Sequence, residues 1–194
     1  ITDYLKIRWT GTQDWIKFHR DPNFDIKAIE DQIGIDFSKP CIGLLTNVIW
    51  DAQLHYPANA FNSMTDWIIE TIEFFINHPE LQLLIRVHPA EVTGGVPSKE
   101  KVVDEINKRY KDLPENIFII PPESTLSTYV AMDQCDSVLI FGTKSGIELT
   151  SSGIPVIVAG EAWIRGKGIT TDVSDREDYQ KQLNKLPLNS RLSD

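Results

Sequence analysis

The sequence predicts an α/β fold, a doubly wound parallel sheet of about five strands with flanking helices. Three observations predict it. Five short apolar runs, at residues 41–46, 81–87, 117–120, 137–141 and 156–159, have the length and composition of strands buried on both faces. Stretches with helical spacing of apolar residues separate the runs, which is the alternation of a parallel sheet with right-handed crossovers. Each run also ends in polar, glycine or proline residues on its carboxyl side, where open α/β sheets bind ligands.

Composition narrows the class. The chain has 194 residues, enough for one α/β domain with an appendage. Its hydrophobic share of 41% is ordinary for a globular protein, and no apolar run is long enough to span a bilayer. The formal net charge of -9 speaks against a nucleic-acid partner, which needs clustered Lys and Arg. Cys41 and Cys135 each lie in or beside an apolar strand. They read as buried free thiols of a reducing compartment, so a cytoplasmic location is expected. No Cys/His cluster has zinc spacing, and no metal is expected. Ile1 is not an initiating Met and no signal-peptide pattern follows it, so the sequence is expected to be a piece of a longer chain.

Residues 1–37 show no strand. They are rich in aromatic and charged side chains (Tyr4, Trp9, Trp15, Phe18, Phe24), interrupted by Gly11 and Pro22. Ile26, Ile29 and Ile33 fit a short amphipathic helix ending at Gly34. Trp9 and Trp15 are expected to pack on the main domain or on a partner. That main domain is expected over residues 38–194. Its first strand, 41–46, enters a long loop that begins with Asn47 and contains Asp51. Met64, Trp67, Ile68, Ile72, Phe75 and Ile76 mark a helix of about four turns. The second strand, 81–87, ends in His88-Pro89. A Gly/Pro loop at 92–98 precedes a helix marked by Val102, Val103, Ile106 and Tyr110. Pro121-Pro122 stop the third strand, and Leu126, Tyr129, Val130 and Met132 mark the helix after Ser124. Gly142 breaks the fourth strand. Ile147 and Leu149 then begin a short helix that Gly153 stops before the fifth strand. The polar tail after Asp172 holds a last helix, started by Ser174 and Glu177 at capping-box spacing and running to about Leu186. The switch-point rule makes 41–46 and 137–141 neighbours.

The candidate site residues sit at the strand ends. In Gly142-Thr143-Lys144-Ser145-Gly146, a helix start offers unpaired N–H groups and partial positive charge. The glycines let a phosphate approach the backbone, and Lys144 adds a full charge. The plainer alternative is that Ser145 and Glu148 form a capping box. His88, held extended by Pro89, either serves a phosphate or a proton transfer, or bonds a nearby carbonyl. Arg86 either shares the side of the strand that His88 faces or pairs with a surface carboxylate. Arg165 and Lys167, in a loop with Glu161, either clamp a diphosphate or substrate carboxylate, or belong to a solvated loop of alternating charges. Trp163 either stacks on a base or sugar or covers an edge of the core. Asp51 is either a general base or a cap of its loop. Gly-Thr-Lys-Ser lacks the spaced glycine of a Walker loop, no Gly-x-Gly-x-x-Gly follows the first strand, and no nucleophile elbow is present.

Four stretches carry a resemblance. They are Asn47-Val48-Ile49-Trp50-Asp51-Ala52-Gln53, Ile85-Arg86-Val87-His88-Pro89-Ala90-Glu91, Gly142-Thr143-Lys144-Ser145-Gly146-Ile147-Glu148 and the glycine-rich stretch over 158–168. Together they resemble bacterial capsule polysaccharide biosynthesis proteins, which look like glycosyltransferases of the GT-B architecture. The resemblance covers about residues 39–171. It implies a Rossmann-like, donor-binding carboxyl-terminal domain. Residues 1–37 would be an inter-domain segment or a remnant of the first domain, and that missing domain would supply the acceptor side and the general base. By itself this chain would then be catalytically incomplete. The implied partners are a nucleotide-sugar and a saccharide acceptor, with no further cofactor and with room for peripheral association at the cytoplasmic face of the inner membrane. The His-Pro pair is similar to that of bacterial sialyltransferases and Kdo transferases, which puts His88 at the donor phosphate. Gly142, Thr143, Lys144, Ser145 and Gly146 complete the phosphate cradle, and Glu148 resembles the acid that holds the ribose in several GT-B families. Asn47, Glu161, Arg165 and Lys167 are the candidate donor-sugar contacts. The acidic-acidic-glycine motif of sialyltransferases is absent, so CMP, UDP and GDP stay open as the donor nucleotide. A UDP-N-acetylglucosamine 2-epimerase relative shares the fold and a Ser-Gly-x-Glu turn, but its usual His-Arg-x-Asn after the first strand is absent. A non-catalytic sugar-nucleotide-binding module of a capsule assembly complex is the third reading.

Overall fold

The computed structural model describes residues 2–10, 22–51, 56–93, 98–188 and 191–192. Gly11, Trp15, Phe18, Ala52, Gln53 and most of the 92–98 loop lie outside the described residues. The helices are α1 Thr2–Thr10, α2 Ile26–Ile33, α3 Met64–Ile76, α4 Ala90–Thr93, α5 Val102–Arg109, α6 Thr128–Asp133, α7 Ser145–Thr150 and α8 Arg176–Leu183. The strands are β1 Cys41–Leu45, β2 Gln82–Arg86, β3 Ile117–Ile120, β4 Ser137–Ile140, β5 Val156–Val158 and β6 Thr171–Asp172. They form one parallel sheet in the order β3-β2-β1-β4-β5-β6.

All five expected strands are present, and the expected neighbours pair: Leu45 of β1 matches Arg86 on one side and Ile140 on the other. The sixth strand is a correction. Thr171 and Asp172, assigned by sequence to loop and tail, pair with Ile157 and Val158. Two polar residues at a sheet edge carry no apolar period, so pattern reading passes over them.

Side-chain alternation divides the core into two layers. Ile42, Leu44, Leu139 and Ile157 point to the layer filled by Trp67, Phe75, Ile106 and Tyr179 from α3, α5 and α8. Cys41, Leu45, Val138, Ile140 and Val156 point to the other, with Ile29, Met132 and Leu149 from α2, α6 and α7. Every residue of β1, β2, β4 and β5 is buried, as a sheet covered on both faces requires. Cys41 and Cys135 are buried free thiols with their Sγ atoms 3.6 Å apart. Residues 22–37 pack on this domain: Ile29 is fully buried, and Asn23 bridges to Leu126. Among the described residues no helix is long and apolar enough to cross a membrane.

The caps differ from expectation at two helices. Asp175, not Ser174, caps α8, its carboxylate accepting from Asp178 N at 2.8 Å. A negative charge suits that end of the helix, and α8 stops at Leu183 rather than near 186. At α7 the capping residue is Lys144, with no side-chain cap bond, and Ser145 is already helical. The Ser145/Glu148 capping box is therefore not formed.

Candidate functional site

The strand order reverses between β1 and β4, and a cleft opens at their carboxyl ends, as the switch-point rule requires. Its volume is about 200 Å³. Asn47 and Asp51 line it from the β1 loop, Tyr56 and Asn59 from the chain leading to α3, Phe141 and Gly142 from the end of β4, and Glu161 and Trp163 from the β5 loop.

Close backbone packing holds these loops in place. A Cβ on Gly142 would come within 2.8 Å of the Glu161 carbonyl, and one on Gly160 within 2.7 Å of the Phe141 carbonyl. Only glycine lets the two loops lie this close. Asn59 ties in the third wall, its Oδ1 accepting from Glu161 N at 2.8 Å. Trp163 is 76% exposed, yet its neighbours Ala162 and Ile164 are buried in the core. The indole is thus held outward on an anchored backbone. Asn47 Oδ1 is buried without a hydrogen-bond partner among the described residues. Such an atom marks a place where a ligand or water donor belongs.

The predicted phosphate residues divide. Lys144 is exposed, with Nζ 5.8 Å from the ring centroids of both Tyr4 and Trp163. Thr143 is buried, and its Oγ1 accepts from Ser145 N at 3.4 Å. Gly146 has a packing reason to be glycine: a Cβ there would sit 2.6 Å from Ile140 Cδ1. Its smallness serves the contact of α7 with β4.

Glu148 is fully buried beneath α1. Its Oε1 accepts from Arg8 Nε at 3.0 Å and from the Tyr4 hydroxyl at 3.1 Å. Its Oε2 has no partner among the described residues. Arg8 also donates to the Tyr129 hydroxyl at 3.3 Å, and Trp9 stacks on Tyr129 with centroids 5.4 Å apart. Of the two expectations for Trp9, packing on the domain is the one observed.

Two arginines are committed to backbone. Arg86 is buried and donates to Pro121 O at 2.6 Å, Ser124 O at 3.1 Å and Thr128 Oγ1 at 3.1 Å. It thereby braces the β3–α6 loop, a role neither sequence alternative anticipated. Arg165 donates to the carbonyls of Val158, Gly160 and Val173. It ties the β5 loop to the chain after β6, and it is not among the residues that line the cleft. Lys167 is exposed on the same loop.

His88 sits at the tip of β2. Its N–H donates to Thr46 Oγ1 at 3.0 Å, and its Nδ1 accepts from Ala90 N at 3.0 Å. Nδ1 is therefore a lone pair and Nε2 carries the proton. Burial first, then the Arg86 charge, lower its pKa to about 4, with Asp51 pulling the other way. The imidazole is neutral at pH 7, a hydrogen-bond donor through Nε2 but not a cation. The unfolded chain binds a proton near pH 6.5 and the folded chain only near 4. The unfolded state thus holds more protons between these values. His88 should cost stability progressively as pH falls from 6.5 to 4, by on the order of 3 kcal/mol. In paired urea titrations, His88→Asn should flatten this acid limb. An unchanged pH profile would show that His88 is not held neutral.

Comparison with known proteins follows the fold. The family model described as capsule polysaccharide biosynthesis protein matches residues 37–191. The KpsC beta Kdo 2,4 transferase of Thermosulfurimonas dismutans superposes with a TM-score of 0.55 at 17% identity, over 74% of this chain and 40% of that one. The beta Kdo 2,7 transferase of the same KpsC gives 0.50 at 18%, over 98% and 54%. UDP-GlcNAc 2-epimerase from Neisseria meningitidis, bound to UDP-GlcNAc, gives 0.57 at 17%, over 87% and 45%. No curated protein matches in sequence. At these identities the shared property is the Rossmann-like fold, and the chain spans about half the length of the structures it matches.

Proposed function

This chain belongs to the capsule polysaccharide biosynthesis protein family, and we propose that it is the donor-binding domain of a glycosyltransferase that moves a sugar from a nucleotide-sugar to a saccharide acceptor. The observation that carries this reading is the convergence of three of the four family-like stretches on one crevice. Asn47 and Asp51, Gly142, and Glu161 with Trp163 line a single cleft at the switch point, with Lys144 near Trp163.

In this reading Lys144 meets the phosphates, next to the Thr143 and Ser145 hydroxyls. As a cation on a flexible stem it stabilises the negative charge that grows on the departing nucleotide. His88 contributes an Nε2–H donor. The sugar occupies the cleft, where Asp51 is the carboxylate offered by the β1 loop. For Glu148 to take the ribose, α1 must release the carboxylate that Arg8 and Tyr4 now hold. A complete enzyme needs an acceptor-side wall to exclude water and align the reacting groups. Such a wall would come from the rest of a longer chain. A KpsC transferase shares the fold, and so does an epimerase whose structure holds UDP-GlcNAc; the latter supports a nucleotide-sugar as the ligand class.

Calorimetry with UDP, GDP and CMP tests the proposal. One of them should bind, and Lys144→Ala should weaken it by about 1–3 kcal/mol, the scale of a hydrogen bond to a charged group. Undiminished affinity in that variant would remove Lys144 from the site. No binding by any of the three would overturn the nucleotide reading.

A further inference from the structure

We propose that α1 is an autoinhibitory plug: it occupies Glu148 in place of a pair of ligand hydroxyls, and a nucleotide must displace it to bind in full. This inference rests on the proposed function for its ligand and goes beyond it in giving α1 a regulatory part.

Three observations mark α1 as detachable. It lies outside residues 37–191, which the family model matches. None of residues 3–10 is buried, so the helix lies on the domain without entering its core. A helix of nine residues is also marginal in water by itself. The contacts that join it to the domain include Arg8 and Tyr4 on Glu148, Arg8 on Tyr129, and the Trp9–Tyr129 stack.

The carboxylate beneath α1 has room for a better partner. Both donors from α1 fall on Oε1, at 3.0 and 3.1 Å, while the buried Oε2 has no partner among the described residues. A carboxylate accepts through both oxygens, and two neighbouring hydroxyls, such as those of a ribose, would bring one donor to each. The spacing fits the same ligand. Lys144 caps α7 and Glu148 lies four residues further on, roughly 6 Å along a helix axis. A nucleoside phosphate covers that reach from its phosphate to its ribose hydroxyls. Tyr4 bridges the same two side chains, with its hydroxyl on Glu148 and its ring centroid 5.8 Å from Lys144 Nζ. A ligand joining Lys144 to Glu148 therefore takes the place of Tyr4. Ligand and α1 compete, and each weakens the hold of the other by the same factor.

Calorimetry on the parent, Arg8→Met and Tyr4→Phe tests the plug, with UDP, GDP, CMP and inorganic pyrophosphate as ligands. Hydrogen exchange over residues 2–10 is followed in the same samples. A nucleotide that binds should do so about tenfold more tightly to Arg8→Met and about threefold more tightly to Tyr4→Phe, because the fraction of chains with α1 released rises. In the parent, that nucleotide should speed exchange of the α1 amides. Arg8→Met also removes a positive charge, so plain electrostatics predicts the opposite sign for an anionic ligand. Pyrophosphate has no hydroxyl pair and should gain nothing from either variant. Nucleotide affinity unchanged or weakened in both variants, α1 amides protected as well or better with nucleotide, or an equal gain for pyrophosphate would overturn the plug and leave the nucleotide reading intact. Failure of every nucleotide on the parent and on both variants would instead sink the nucleotide reading, and the plug with it.

Discussion

Replacing Arg86 with Met should lower the stability of the domain by about 3–5 kcal/mol, because two carbonyls and a hydroxyl lose their buried donor and each unsatisfied acceptor costs about 1–3 kcal/mol without full additivity. The side chain is 2% exposed, and its guanidinium serves two carbonyls and a hydroxyl. Met fills much of the volume, so the loss isolates the hydrogen bonds from the cavity. Burial pushes the Arg86 pKa down to about 10, against the pull of Glu123, so the group stays charged at neutral pH. Each hydrogen bond to a charged donor contributes about 1.5–3 kcal/mol, and the three share one group, so they do not simply add. For a chain of this size, the loss corresponds to a fall of roughly 10 °C in Tm. Arg86→Lys should recover only part, because one ammonium cannot span three acceptors fixed by a planar fork. A Met variant within 1 kcal/mol of the parent in urea unfolding would show that the β3–α6 loop needs no brace.

Arg86 also shows where sequence reading stops. The strands were legible because burial on both faces leaves nothing but apolar runs, such as Cys41–Leu45. From those runs the crossover rule puts β1 beside β4, and so locates the cleft. Of the lining residues, Asn47, Asp51, Gly142, Glu161 and Trp163 stood out as polar or aromatic groups at strand ends. Asn59 did not, since its partner Glu161 is 102 positions away and no local pattern announces that bond. The partners of the arginines are hidden for a related reason. Only the folded backbone reveals that Arg165 has three carbonyls to satisfy. Gly146 illustrates the converse, a glycine set by packing against Ile140 in a sequence that also suits a phosphate. The two-residue β6 and the one-turn α4 are too short to carry any period.

Breaking the Arg8–Glu148 pair should release α1 from the domain. Glu148 is fully buried, and the Arg8 side chain is 20% exposed. Removing the partner of a buried charge costs about 3–5 kcal/mol when the structure cannot relax. Here it can relax, because α1 can leave and let water reach the carboxylate. The loss is then capped at the docking free energy of α1, which includes the Trp9–Tyr129 stack, a contact worth about 0.5–1.5 kcal/mol. Arg8→Met should therefore show its largest effect locally. Amide protection over residues 2–10 should fall, and protease should cut there, while the sheet melts nearly as before. Glu148→Gln should be milder, since the cation left without its counter-ion, Arg8, keeps some solvent contact and the amide oxygen can still accept from Tyr4 and Arg8. In the double variant the penalties should not add, with a coupling of at least about 1 kcal/mol, as for groups in direct contact. Additive losses, or full protection of α1 in Arg8→Met, would mean that the ion pair does not hold the helix. The geometry argues otherwise: Glu148 Oε1 takes both donors from α1, while among the described residues Oε2 has none.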